Sequence, residues 1–253
     1  MVFDIQKAGI WKRIAAWMFD GILVSVLAVA VALGLSALLG YDSYSRTLDE
    51  AYATYEAEYG ISFEITQSEY EALTDPQRQA YDTAYQALLA DDGVIHAYNM
   101  MISLTLVIIS LSILAATLIW EFAMPLLFGN GQTLGKKIFG LCLIRSDGVK
   151  VNNLQLFTRA LIGKYTIETM IPVSVALLTF WGTLGLTGTM ILFAVAVAQM
   201  LCLGLTRTNS AIHDLLAGTV VVDMASQMIF RSTEDLIAYQ KKIAAERAAR
   251  QTY

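Results

Sequence analysis

Four long apolar stretches constrain what this chain can fold into more than any other feature. Residues 14–39 are apolar apart from Asp20 and a few serines, and residues 100–120 carry no charge at all. Residues 165–181 hold one acid, Glu168, near their start, and residues 186–205 have Gln199 as their only strongly polar side chain. A helix rises about 1.5 Å per residue, so roughly 20 apolar residues cross the roughly 30 Å of hydrocarbon in a bilayer. Each stretch reaches or approaches that length, although Pro172 interrupts the third. With 56% of residues hydrophobic and 15% charged, the composition points the same way. The expected fold is all-α, a bundle of four transmembrane helices whose first partner is the lipid bilayer.

The placement of charge orients these helices. If the N-terminus is cytoplasmic, four spans put every Lys and Arg on one side except Arg46 and Arg78, which is 15 of the 17 basic residues. Cytoplasmic loops carry this excess, so the chain reads as multi-pass with both termini in the cytoplasm. A net charge of -5 gives no reason to expect nucleic-acid binding. Cys142 and Cys202 fall on the cytoplasmic side and within the fourth span, which implies no disulfide framework. The first apolar run is too long for a signal peptide and lacks a small-residue cleavage site, so it is read as a retained span.

The segments divide as follows. Residues 1–40 are the N-terminal segment with the first span, and residues 41–98 form an acidic extracytoplasmic insert. Residues 99–128 are the second span, 129–164 a basic cytoplasmic loop, 165–206 the third and fourth spans, and 207–253 a cytoplasmic segment ending in a polar helix. Residues 41–97 hold 12 of the 22 acidic residues. Their Ala, Glu, Gln and Tyr content, with a turn at Thr74, Asp75 and Pro76, predicts two amphipathic helices in a hairpin. Tyr52, Tyr55, Tyr59, Tyr81 and Tyr85 give each helix an aromatic face, for packing on its mate or for binding a solute or partner protein. In the basic loop, Leu141–Arg145 followed by Ser146, Asp147 and Gly148 and then by residues 149–152 is a β-hairpin signal. Residues 219–222 are a third β-like run, so a small cytoplasmic sheet could unite all three. Gly182, Gly185 and Gly188 surround the turn between the third and fourth spans, where flexibility is the preferred reading and close helix contact the alternative.

Asp20 carries the most information of any residue. An ionised carboxylate inside a span costs about 2.5 to 3.5 kcal/mol on insertion scales, so Asp20 should face the protein and meet a cation, a proton or a polar partner. Arg13 lies seven residues earlier, with Trp17 between them on nearly the same helical face. Two readings stand side by side: a fixed ion pair that locks helices together, or a site for an ion, proton or polar solute.

The chain resembles the RDD family of bacterial membrane proteins. The resemblance rests on W-K-R-I-A-A-W-M-F-D, which supplies Arg13 and Asp20, on G-Q-T-L-G-K-K-I-F-G-L at residues 131–141, and on H-D-L-L-A-G-T-V-V-V at residues 213–222, which supplies Asp214. It covers residues 9–39 and 99–223, whereas the long acidic segment departs from the compact family pattern. It implies a bacterial cell-membrane protein, suspected of transport, with sodium/proton antiport assigned to some members. On that reading Asp20, Asp214 and Arg13 bind substrate or ion, sodium and protons being the ligands. His213, Glu121 and Glu168 are possible accessories; Glu121 and Glu168 read more simply as interfacial residues paired with Lys or Arg. Asp214 could instead cap or brace a helix, with Arg13 as its partner.

Other chemistries find little support. Residues 131–137 lack the glycine spacing of a phosphate-binding loop and have no Ser or Thr after the lysine, so they read as a tight basic turn. No cofactor, metal cluster or catalytic triad is expected, and the chain is not read as an enzyme. The alternative to a carrier is a membrane scaffold or accessory subunit whose outer hairpin binds a partner protein. Four helices are few for a carrier acting alone, so transport would favour a homo-oligomer.

Overall fold

The computed structural model describes residues 5–250. The chain is mostly helical, and among the described residues four helices are long and apolar enough to cross a membrane: Ile10–Leu38, Asp92–Phe128, Asn153–Phe180 and Gly185–Leu205. The first is α1, Ile10–Leu38. It is followed by α2, Tyr41–Tyr59, by the short α3, Gln67–Glu71, and by α4, Asp75–Ala90. The second long helix consists of α5, Asp92–Leu118, a π-helical turn at Ile119–Ala123, and α6, Met124–Phe128. After α7, Leu134–Ile138, and β1, Leu141–Arg145, the third runs through α8, Asn153–Thr158, a π segment at Arg159–Met170, and α9, Ile171–Phe180. The fourth is α10, Gly185–Leu205; α11, Ile212–Ala217, β2, Thr219–Asp223, and α12, Thr233–Arg250, complete the chain. Apolar side chains such as Leu33, Phe193 and Leu205 stand 69%, 71% and 79% exposed on these helices, an outward surface that suits lipid and not water.

Two compact units divide the chain, residues 29–112 and the remainder. Within residues 29–112, α2 packs on α4 and the Phe63 ring meets Tyr52, Tyr81 and Tyr85. Both α3 and α4 begin with capping boxes, Thr66 with Glu69 and Thr74 with Gln77, and Pro76 sits in the first turn of α4, where its missing N–H costs nothing. Tyr55 donates to Asp91 at 3.2 Å, and Asp91 in turn accepts the N–H groups of Gly93 and Val94 at the start of α5.

In the other unit β1 and β2 form a two-stranded antiparallel sheet, with Leu141 opposite Asp223 and Arg145 opposite Thr219. Both faces are covered, so the strands read as continuous apolar runs and not as alternation. Leu141, Leu143 and Val221 pack with Ala16 of α1 and Leu156 of α8. Cys142, Ile144, Val220 and Val222 pack with Ile5 and Ile229 on the opposite face. The N-terminal segment extends the ladder, since Ala8 N–H donates to Val221 and Asp223 N–H donates to Gln6, each at 3.3 Å.

Several expectations change here. Residues 149–152 form no second hairpin arm: Lys150 makes a single bridge to Ile144, Val149 bridges Phe230, and Asn152 leaves the extended run to cap α8. The third long helix begins at Asn153, so residues 153–164 are helical where a loop was expected, and Pro172 lies near the start of α9, in a helix that runs on through it. Gly188 serves close packing, because a Cβ there would overlap Thr179 of α9.

Candidate functional site

Charged side chains from distant parts of the sequence converge within the unit that holds the sheet. Asp20, on α1, is 4% exposed and takes three neutral donors. The Trp120 indole N–H and the Gly135 backbone N–H both reach Oδ1 at 2.9 Å, and the Thr133 hydroxyl reaches Oδ2 at 2.5 Å. Thr133 holds this position because it caps α7, and Gly135 can be no larger residue. A Cβ at Gly135 would stand 2.5 Å from the Ala16 carbonyl oxygen and 2.8 Å from the Asp20 carboxyl group. Gly135 thus serves close approach to α1, which a reading as a basic turn does not require, while Gly131, at φ 64°, packs against Leu143 and Val151.

Asp20 and Arg13 do not pair. No cation among the described residues lies within ion-pair distance of Asp20, and Trp17 is 65% exposed although it lies between two inward-facing residues. Arg13 instead reaches the segment after α10. It donates to the carbonyls of Asn209 at 2.5 Å and Thr208 at 3.3 Å, and to Asp214 Oδ2 at 3.3 Å. Asn209 adopts a left-handed backbone, φ 52°, which asparagine tolerates better than most residues and which turns its carbonyl toward the guanidinium.

Arg159, 2% exposed, joins two of the long helices to α11. Nε donates to Asp214 at 2.9 Å, Nη1 to Glu121 at 2.8 Å, and Nη2 to His213 Nε2 at 2.9 Å. Arginine can only donate, so Nε2 is the acceptor and the His213 proton sits on Nδ1. From there it is donated to Glu168 at 2.7 Å, while the His213 backbone N–H reaches the other Glu168 oxygen at 3.1 Å. Burial lowers the His213 pKa, and the imidazole is neutral. Burial alone would raise the Asp214 pKa, but the guanidinium groups of Arg159 and Arg13 outweigh it and hold the carboxyl well below the usual range. Gly163 allows α11 this close, since a Cβ there would lie 2.5 Å from the His213 Cβ.

Glu121 lies in the first π segment and receives Lys164 as well as Arg159, with Lys136 at 3.6 Å. In the second π segment, i→i+5 bonding widens the turn, and Arg159, Lys164 and Glu168 all border the same space. That space is a cavity of about 740 Å³, lined by the charged network and by apolar residues such as Leu192 and Val195 of α10. Four carboxylates, Asp20, Glu121, Glu168 and Asp214, face four cations, Arg13, Lys136, Arg159 and Lys164, so the chamber is electrically balanced. Among the described residues no group of His, Cys, Asp and Glu is arranged to hold a metal ion.

The carboxylates singled out in the sequence all border this cavity, but only part of their surroundings was legible. Arg13 and Asp214 meet as anticipated, and His213, Glu121 and Glu168 belong to the network. Glu121 is buried and ion-paired, and Glu168 is hydrogen-bonded by His213, with no Lys or Arg among the described residues within ion-pair distance of it. Arg159, Lys136, Lys164 and Trp120 were not anticipated; an arginine embedded in L-F-T-R-A-L-I was the one available signal.

A membrane protein with four apolar helices and a buried, balanced network of arginines, lysines and carboxylates at one cavity is the class these observations define. The RDD family profile matches residues 7–218, a span that includes Arg13, Asp20 and Asp214, and the chain belongs to the RDD family. No curated protein and no solved structure matches it.

Proposed function

We propose that this protein is a carrier for an ion or small polar solute in the bacterial cell membrane, sodium/proton exchange being its most concrete form. The observation that carries this reading is the cavity of about 740 Å³ bordered by four carboxylates and four cations. Its size falls within the range of small-molecule sites, and ionisable groups at membrane depth are functional by default. Both termini are cytoplasmic, on the strength of the basic residues flanking the spans, and residues 41–97 face outward. Asp20 is the solute-binding carboxylate, with Arg13 and Asp214 shaping the chamber beside it. Two or more copies make the working unit, because four helices give little wall for a carrier.

Sodium-dependent proton flux into proteoliposomes tests this. Flux in the wild type that vanishes in Asp20→Asn of equal folding and insertion is the expected result, and a mutant as active as the wild type would remove Asp20 from the mechanism.

One observation favours a second reading, an accessory subunit that binds a partner protein. Residues 29–112 form a compact unit of their own, and Tyr52 and Tyr85 of its aromatic cluster are 41% and 44% exposed. Deleting residues 41–97 would then abolish function, while Asp20→Asn would lower stability alone.

A further inference from the structure

Glu121 is one carboxylate surrounded by three cations. Arg159 bonds it at 2.8 Å and is also fixed by Asp214, and Lys164 bonds it directly. Lys136 stands off at 3.6 Å, with its side chain 8% exposed. Among the described residues Glu121 is the only carboxylate within ion-pair distance of Lys136. Arginine keeps its proton at any pH a protein meets. Lys136 is therefore the cation that combines deep burial with the weakest pairing.

The groups facing Lys136 come from three directions: Asp20 from α1, Glu121 from the first π segment, and Arg159 and Lys164 from the second. Burial pushes the Lys136 ammonium down to about 8; Glu121 resists this, and Arg159 and Lys164 add to it. His213 is already neutral and Asp214 is held as a carboxylate, so neither is poised to exchange a proton near neutral pH.

The charge balance gives this a consequence. With Lys136 protonated, four negative groups meet four positive ones and the chamber is neutral. When the ammonium of Lys136 loses its proton to water through the cavity, an amine remains and the chamber carries one net negative charge. That charge is balanced by one monovalent cation, and return of the proton makes the cation surplus. We infer that Lys136 is the proton-carrying residue of this chamber, releasing its proton as a single monovalent cation enters and recovering it as the cation leaves. The inference deepens the carrier reading by assigning the proton to a lysine and limiting the solute to one positive charge.

The test needs no transport. Full-length protein in detergent and weak buffer is mixed with sodium chloride, or with choline chloride at equal ionic strength, and proton release is read with a pH dye. The wild type is expected to release about one proton per chain at pH values below the Lys136 pKa, falling toward none as pH rises through about 8. Release on sodium alone marks an inorganic ion, and release on choline an organic one; either supports the assignment. Lys136→Arg, permanently charged, should release no proton and bind the cation about tenfold or more weakly. Lys136→Met should bind it without release at any pH. No release from the wild type with either salt, or equal release from Lys136→Arg, overturns the assignment. Flux in proteoliposomes separates this from the carrier reading. Proton release without flux removes the carrier and leaves Lys136 assigned, whereas undiminished flux with an unchanged pH profile in Lys136→Arg does the reverse.

Discussion

Arg159 donates to His213 Nε2, which leaves the imidazole proton only one position, on Nδ1 toward Glu168. Because the folded pKa lies below the ordinary 6.5, an unfolded chain takes up a proton at this site that the native one refuses. The stabilising contribution is therefore complete above pH 6.5 and is lost as pH falls through the window below it, about 1.4 kcal/mol for each unit of depression. Thermal unfolding in detergent should show a lower midpoint at pH 5 than at pH 7, and His213→Gln, less stable at pH 7, should show a shallower decline. Equal slopes would mean that His213 is not the neutral donor described. The sequence made Asp20 conspicuous because a carboxylate among apolar residues is costly wherever it occurs. Its partners were not legible. An indole N–H, a hydroxyl and a backbone N–H are neutral donors found in any helix or loop, and nothing in their spacing distinguishes those that meet a carboxylate 100 or more residues away.

At the scale of elements, the four long helices were visible in the apolar runs, and their ends were not. The third helix extends back through Arg159 because that guanidinium is fully matched inside the protein, a circumstance composition cannot reveal. The D-G turn after β1 suggested a hairpin, yet β2 takes the place beside β1 because T-V-V-V has apolar cover on both faces, while Asn152 is drawn away to cap α8. Gly135 sets how closely α7 approaches α1. Gly135→Ala should therefore cost about 1 to 3 kcal/mol or more through overpacking, since the Ala16 carbonyl is backbone and cannot swing aside. Gly34→Ala, also on α1 but with open space around its Cβ, should be neutral or stabilising by up to about 1 kcal/mol. Comparing unfolding midpoints of the two variants checks this, and an innocuous Gly135→Ala would contradict the close contact.

For the molecule as a whole, the proposed orientation predicts a labelling pattern. With Cys142 and Cys202 replaced, a cysteine at Ser62 should react with a membrane-impermeant maleimide in intact cells, whereas one at Ser232 should react only after permeabilisation. The reverse pattern would invert the topology. The bonds of the charged network also carry an order in time. Trp120, Thr133 and Gly135 follow Asp20 by 100, 113 and 115 residues, but Thr208, Asn209 and Asp214 follow Arg13 by 195, 196 and 201. A ribosome delivers the N-terminal end first, so Asp20 can be satisfied once the second long helix and α7 have emerged, while Arg13 waits for nearly the entire chain. A nascent chain that stops before residue 208 leaves Arg13 without its acceptors and Arg159 without Asp214 and His213. The last of these contacts to form is thus a mark of completed synthesis, and truncated chains should be the ones a cell's quality control finds with charge exposed to lipid.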